Sequence, residues 1–248
     1  VRLDVFLTPD ELARGELAGR VVAVVDVLRA STTIAVALAN GARAIIPFQD
    51  VDEAIERARQ FERGTVVLAG ERRMLPIPGF QLGNSPVTFT PDVVSGKTIL
   101  LTTTNGTRSL VAAQGARDVV VASYVNMGAT TAMLRSALRG GADVIIACAG
   151  QDGHYALEDA ACAGSLVRAV AKRMSGLAMN DAAHSCALIA RGYGDDIMSA
   201  FLQSAHGRAL GEAGFHDDLV LCRQVDAYPV VPVFNERHIT KLGPERER

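Results

Sequence analysis

The sequence predicts an α/β protein, a three-layer α/β/α arrangement around a mostly parallel sheet or sheets, and three observations predict it. Short apolar runs alternate with helix-like segments along the whole chain. Most of the runs are continuously apolar rather than alternating, as strands buried on both faces are. Hydrophobic residues make up 49% of the 248, ample for a core covered on two sides. The chain reads as one α/β domain, 1–248, with room inside it for a pseudo-repeat of halves at about 1–96 and 97–234.

The strands read in order as RLDVFL, RVVAVVDV, ARAIIPF, GTVVLAG, KTILLTT, ARDVVVAS, ADVIIACAG and YPVVPVF. In DVDEAIERARQF, Val51, Ala54, Ile55, Ala58 and Phe61 share one face at helical spacing, and Asp50 with Glu53 resembles a capping box. NMGATTAMLRSALRGG reads as a helix capped by Asn126 and closed at Gly140. EDAACAGSLVRAVAKRM and DDIMSAFLQSAHGRAL each read as one further amphipathic helix. Two segments, VVAVVDVLRASTTIAVALANGARAIIPF and KTILLTTTNGTRSLVAAQGARDVVVAS, share a plan: strand, Thr-rich loop with an Arg, small-residue helix, Gly-Ala-Arg, strand. Gly41 and Gly115 are expected to close their helices in the left-handed region. Either the halves are related or any αβ unit converges on this grammar. Residues 71–97, rich in proline and glycine but carrying Phe80, Leu82, Val87 and Phe89, read as an ordered binding loop or lid.

Composition excludes several function classes. The net charge is −2 with no single-sign run, and Trp is absent, so nucleic acid is not an expected partner. No segment approaches the roughly 20 apolar residues of a membrane span. The N-terminus lacks the apolar run of a signal peptide, and the four cysteines form no C-x-x-C pair, so a cytoplasmic protein with reduced thiols is expected. A homo-oligomer is compatible with the sequence.

Four strand ends carry unusual polar loops, and ligands in α/β sheets bind beyond such ends. They are DVLRASTT after the second strand, ERR after the fourth, TTTNGTR after the fifth and QDGHYALED after the seventh. All four are expected on one edge of one sheet. Ser31 or Thr32 reads as a helix N-cap, an anion contact, or both. Asn105, Gly106 and Thr107 read the same way, Gly106 because it lets backbone approach a ligand. Arg108 either points at the ligand or is solvated. Arg29 and Arg72 are forks matched to phosphate, sulfonate or carboxylate, so a small, multiply anionic ligand is expected. Glu158 and Asp159 either answer a helix macrodipole or join Asp26 around a hard divalent cation. Mg²⁺ fits best, since soft ligands and a His cluster are lacking. His154 reads as an incidental loop residue or a proton carrier, and Cys148 as a core residue.

Together and in this order, DVLRASTT, GER…PGFQLGNSP, TTTNGTRSL and AGQDGHYALEDAACAG resemble the 2-phosphosulfolactate phosphatase family, from about residue 3 to residue 234. The resemblance implies a distinct α/β fold and Mg²⁺-dependent hydrolysis of a small anionic phosphorylated substrate to sulfolactate, a step of coenzyme M biosynthesis in methanogens. It implies site roles for Asp26, Arg29, Ser31 and Thr32; for Glu71, Arg72, Gly83, Asn84 and Ser85; for Thr103, Thr104, Asn105, Gly106, Thr107 and Arg108; and for Glu158, Asp159 and Asp218. The expected metal ligands are Asp26, Glu158 and Asp159, and the expected catalytic set is Asp26, Arg29, Asn105, Glu158 and Asp159. One departure is Gln81, where the resemblance leads one to expect Asp; it bears on the role of that loop and on the substrate. Asn105→Ala and Arg29→Ala are each expected to lower turnover with the fold intact. The rivals are a haloacid-dehalogenase-type phosphatase, disfavoured because Leu28 stands where a second Asp is needed, a phosphatase of a related 2-hydroxy acid, and a non-catalytic module binding such a metabolite.

Overall fold

Every continuously apolar run of the sequence is a strand of a single sheet in the computed structural model, which describes residues 1–243. The strands are β1 (Arg2–Phe6), β2 (Val21–Val25), β3 (Ala44–Phe48), β4 (Val66–Arg72), β5 (Leu75–Pro76), β6 (Thr98–Thr102), β7 (Asp118–Ala122), β8 (Val144–Cys148), β9 (Ala178–Met179), β10 (Pro232–Asn235) and β11 (His238–Lys241). The helices are α1 (Pro9–Arg14), α2 (Ala30–Ala39), α3 (Val51–Ala58), α4 (Pro91–Val94), α5 (Gly106–Ala112), α6 (Met127–Arg139), α7 (Leu157–Ala171), α8 (Asp181–Tyr193), α9 (Ile197–Gln203), α10 (Ala205–Glu212) and α11 (His216–Cys222). β2, β3, β6 and β8 are buried at every position, which is why they read as unbroken apolar runs.

The sheet order is β5–β4–β6–β3–β11–β10–β7–β2–β8–β1–β9. One parallel block is β4–β6–β3 and the other is β7–β2–β8–β1–β9. The β10–β11 hairpin joins them, antiparallel to β7 on one side and to β3 on the other. Three successive antiparallel pairings make the two blocks run in opposite directions. This corrects the expectation that the four polar strand ends share one edge. They meet for another reason. One face of the sheet feeds a single core that takes Ile45, Val67, Ile99 and Leu101 from the first block and Val22, Val24, Val119 and Ile145 from the second, together with Ile34 of α2 and Leu110 of α5. A twisted sheet wrapped around a shared core carries opposed strand ends to one place. The crossovers obey the same logic: β2–α2–β3 runs from the second block to the first, and β6–α5–β7 runs back.

The outer face of the second block packs against α6, α7 and neighbouring helices through Leu134, Leu138, Leu166, Val167 and Phe201. The outer face of the first block packs Ile46, Phe48 and Leu100 against Ala54 of α3. This is the three-layer α/β/α arrangement. Asp50 caps α3 by accepting the Glu53 N–H at 2.9 Å, and Gly41 and Gly115 adopt φ of 94° and 97° after their helices, as expected. The segment read as one helix at DDIMSAFLQSAHGRAL is two. Ser204 is extended, ends α9, and caps α10 by accepting the Gly207 N–H. Residues 71–97 are ordered through β5, a 3₁₀ turn at Pro86–Thr88 and α4. No helix among the described residues is long and apolar enough to cross a membrane.

Candidate functional site

A pocket of about 170 Å³ opens where the two blocks' strand ends converge. Its lining comes from the loop after β2 (Asp26, Leu28, Arg29), the β4–β5 turn (Glu71, Arg73, Met74), Asn84, the loop after β6 (Thr103, Thr104, Asn105), the loop after β8 (Gln151, Asp152) and His206 at the start of α10.

Asp26 is the buried carboxylate of this pocket. Its Oδ1 accepts the Ala30 N–H at 3.2 Å, its carbonyl accepts the Ser31 N–H, and its own N–H donates to Ser31 Oγ at 2.8 Å. Asp26 thereby caps α2, so the first donors of that helix serve the protein rather than a ligand. Ser31 and Thr32 are structural too: Ser31 Oγ donates to the Val24 carbonyl and Thr32 Oγ1 to the Val27 carbonyl. This corrects their expected contact with substrate. Among the described residues no donor reaches Asp26 Oδ2. Gly106 keeps that oxygen open, because a Cβ there would lie 2.8 Å from it and 2.6 Å from Ala30 Cβ. Gly106→Ala should therefore cut turnover about tenfold or more and also cost about 1–3 kcal/mol of stability, since Ala30 is buried and must give way; wild-type turnover would show that the close approach is unimportant.

The Thr-rich loop after β6 is held mainly by its own hydroxyls. Thr103 Oγ1 accepts the Thr107 N–H, and Thr107 Oγ1 donates to the Thr103 carbonyl. Thr104 donates its N–H to Glu71 Oε1 at 2.8 Å and its hydroxyl to Glu71 Oε2 at 3.2 Å, and Glu71 Oε2 also accepts the Met74 N–H. Glu71 is thus a staple between the β4–β5 turn and this loop. Asn105 is the residue whose amide NH₂ is left for the pocket, its Oδ1 accepting the Asp152 N–H at 3.1 Å.

Arg29 is buried, and its charge is paired. It pairs with Asp218 at 2.7 Å, donates to the Met74 carbonyl at 2.9 Å and lies 4.3 Å over the Phe215 ring. Ser85 Oγ donates to the other Asp218 oxygen at 2.6 Å. Ser85 therefore supports this pair and does not line the pocket. Arg72 is also corrected: it donates to the carbonyls of Glu71 and Gln49, and the cation lining the pocket from this turn is Arg73. Arg108 is exposed and pairs with Asp10 at 2.7 Å. Gln81 lies at the sheet edge, where its Oε1 accepts the Leu68 N–H, so the departure from the expected Asp does not touch the pocket. His154 is exposed and Cys148 is buried in β8, as a core role requires.

The carboxylates form a buried like-charge cluster. Burial pushes Asp26 up to about 7, with Glu71 and Glu158 adding to the rise. Burial also raises Glu158, and burial followed by the charges of Glu158 and Asp26 raises Asp159 well above the usual range. The three differ in what they can offer. Both Asp159 oxygens are taken, by the Val27 N–H at 2.9 Å and the Gly150 N–H at 3.0 Å, so Asp159 staples the loops after β2 and β8. Glu158 Oε2 is buried without a partner, and Asp26 Oδ2 is open. Among the described residues no three His, Cys, Asp or Glu side chains converge as a complete metal site. Two oxygen donors with buried, mutually repelling charge fit a hard cation that keeps several waters, as Mg²⁺ does.

Residue-level reading of the sequence missed Arg73, Met74, Gln151, Asp152 and His206. His206 carries a buried Nδ1 with no partner, and burial followed by the Arg29 charge pushes its pKa down. Asn84 Oδ1 is likewise buried and unpartnered at the pocket wall. A lone His beside an Arg carried no spacing signal, whereas Arg73 stood next to the Arg that was chosen.

Over residues 6–237 the chain matches the family described as 2-phosphosulpholactate phosphatase. It is 40% identical to the probable 2-phosphosulfolactate phosphatase of Symbiobacterium thermophilum over 227 residues, 92% of this chain and 96% of that one. It is 39% identical to the protein of the same name from a Synechococcus strain, over 92% of this chain and 93% of that one. It is 34% identical to that from Caldanaerobacter subterraneus, over 93% and 94%.

Proposed function

Because the chain belongs to the 2-phosphosulfolactate phosphatase family, we propose that it hydrolyses the phosphate monoester of 2-phosphosulfolactate to sulfolactate and phosphate. The observation that carries the reading is Asp26, a buried carboxylate with one open oxygen at the base of a small pocket, pressed by Glu71 and Glu158. A module that only bound anions would gain nothing from such a cluster.

Asp26 and Glu158 would hold the divalent cation, with Asp159 fixing the loops that carry them. Bound there, the cation supplies positive charge against the phosphate oxygens. The rest falls to the chain's own groups. The Asn105 amide and the Thr103 hydroxyl, whose oxygen accepts the Thr107 N–H and whose proton has no acceptor among the described residues, bind and orient the phosphoryl group. Glu71 and Arg29 hold the β4–β5 turn over it and narrow the space for bulk water. A water oxygen bonds to phosphorus while the ester P–O bond breaks, and the proton given up by the water ends on the hydroxyl of sulfolactate. Fixed dipoles and charges around the transferring group account for most of the expected acceleration. The four cysteines are free and buried, which suits a reducing compartment and supports a place in the cytoplasm.

The test is phosphate release from 2-phosphosulfolactate, phospholactate and an aryl phosphate, each with Mg²⁺ and with EDTA. Release that needs Mg²⁺ and is fastest on the sulfonated ester is expected. Mg²⁺ should also raise the melting temperature of the wild type and not that of Asp26→Asn. Release from the other esters alone would discard the substrate, EDTA-resistant release would discard the cation, and no release with the protein folded would leave a binding module.

A further inference from the structure

We propose that Arg73 is the specificity-determining residue of this site, and that it takes one of the substrate's two anionic groups that do not react, the sulfonate or the carboxylate. The proposal rests on the phosphatase reading above and names a part of the pocket which that reading leaves open.

The pocket is short of positive charge. Asp26, Glu71 and Asp152 line it, against Arg29 and Arg73. Arg29 is neutralised by Asp218, and a second of its donors goes to the Met74 carbonyl. Among the described residues Arg73 forms no ion pair. A ligand with a phosphate and a second fixed anion needs a second cation, and Arg73 is the one with its charge unspent.

The backbone carries the same message. β4 and β5 pair through Arg72 and Leu75, so Arg73 and Met74 form a two-residue hairpin turn. Their φ values are 51° and 71°. Such a turn normally takes Asn-Gly, because positive φ is costly for long side chains. Here both positions hold long side chains, and both line the pocket. The conformation is tied down from two sides: the Met74 N–H donates to Glu71 Oε2, and the Met74 carbonyl accepts from Arg29. Backbone held in a costly region by its surroundings at the mouth of a pocket is a mark of function. The fork of Arg73 suits a sulfonate or a carboxylate equally, and only substrate comparison separates them.

The experiment compares wild type, Arg73→Lys and Arg73→Gly on 2-phosphosulfolactate, phospholactate and an aryl phosphate. It adds calorimetric binding of sulfolactate and lactate to the metal-loaded proteins. Arg73→Gly should raise KM for 2-phosphosulfolactate about ten- to a hundredfold with kcat changed far less, and raise that for the aryl phosphate by a much smaller factor. Arg73→Lys should fall between. A loss shared by phospholactate assigns Arg73 to the carboxylate; a loss confined to the sulfonated ester assigns it to the sulfonate. Arg73→Gly should also melt about 1–4 °C higher than wild type, since glycine adopts positive φ freely. A merely structural arginine would instead lower stability and weaken all three esters alike, and that result, or unchanged KM throughout, overturns the proposal. Wild type that releases no phosphate sinks the phosphatase reading separately, because the binding comparison still reports on Arg73.

Discussion

Asp26→Asn should lower phosphate release from 2-phosphosulfolactate by about a thousandfold and leave the protein folded. Asparagine keeps the shape and the Oδ1 acceptor that caps α2 through the Ala30 N–H, so the loop after β2 has no reason to move. What disappears is the charge on the open oxygen. The same charge is a burden on the fold. Unfolded, this carboxyl titrates near 3.8; folded, burial first and then Glu71 and Glu158 raise it to about 7. Between those values the folded chain holds a proton that the unfolded chain has lost. Asp26's own contribution to the stability of the metal-free wild type is therefore most favourable below about pH 4 and falls as pH rises toward 7, by up to ~1.4 kcal/mol per pH unit. In EDTA, Asp26→Asn should melt above wild type at pH 7.5 and level with it at pH 4. Scanning calorimetry at the two pH values reads this directly. A variant that melts lower at pH 7.5, or that turns over within threefold of wild type, removes Asp26 from the centre of the site.

The sequence was legible where a residue's environment is set locally. Continuous apolar runs announced β2, β3, β6 and β8 because both faces are covered. β5 and β9 are two residues long and β11 is half polar, so they carried no such signal. The opposed direction of the two blocks depends on the β10–β11 hairpin at the chain's far end, which no local pattern encodes. The site divides the same way. Polar loops beyond buried strands located Asp26, Glu71, Asn105 and Glu158. Which hydroxyls would be spent internally, as those of Ser31, Thr32 and Thr107 are, follows from partners that only the fold assembles. Arg72 and Arg73 differ by one position, but the first ends a strand and the second opens a turn with positive φ, and that step decides which of them lines the pocket.

Arg29→Ala should unfold the protein far more easily than a loss of substrate contact would. The sequence alone argues for lost turnover with the fold intact; the structure reverses that. Arg29 and Asp218, 189 positions apart in the chain, form a 2.7 Å pair whose side chains are 2% and 1% exposed. Truncating one partner strands the other, and Asp218 would keep only the Ser85 hydroxyl. Such a loss costs ~3–5 kcal/mol, or roughly 6–20 °C in melting temperature for a chain of this size. The Met74 carbonyl would lose its donor in the same step, so the β4–β5 turn would loosen and turnover would fall with stability. Asn105→Ala is the contrast: its side chain holds only the Asp152 N–H, so turnover should fall while melting changes little. The double replacement Arg29→Met with Asp218→Leu separates the two roles of the pair. With no charge left stranded it should regain most of the lost stability, yet with the turn untied it should not regain activity. A single Arg29→Ala that melts within about 2 °C of wild type would mean the pair carries no structural load. The arginine would then return to the role of a substrate contact.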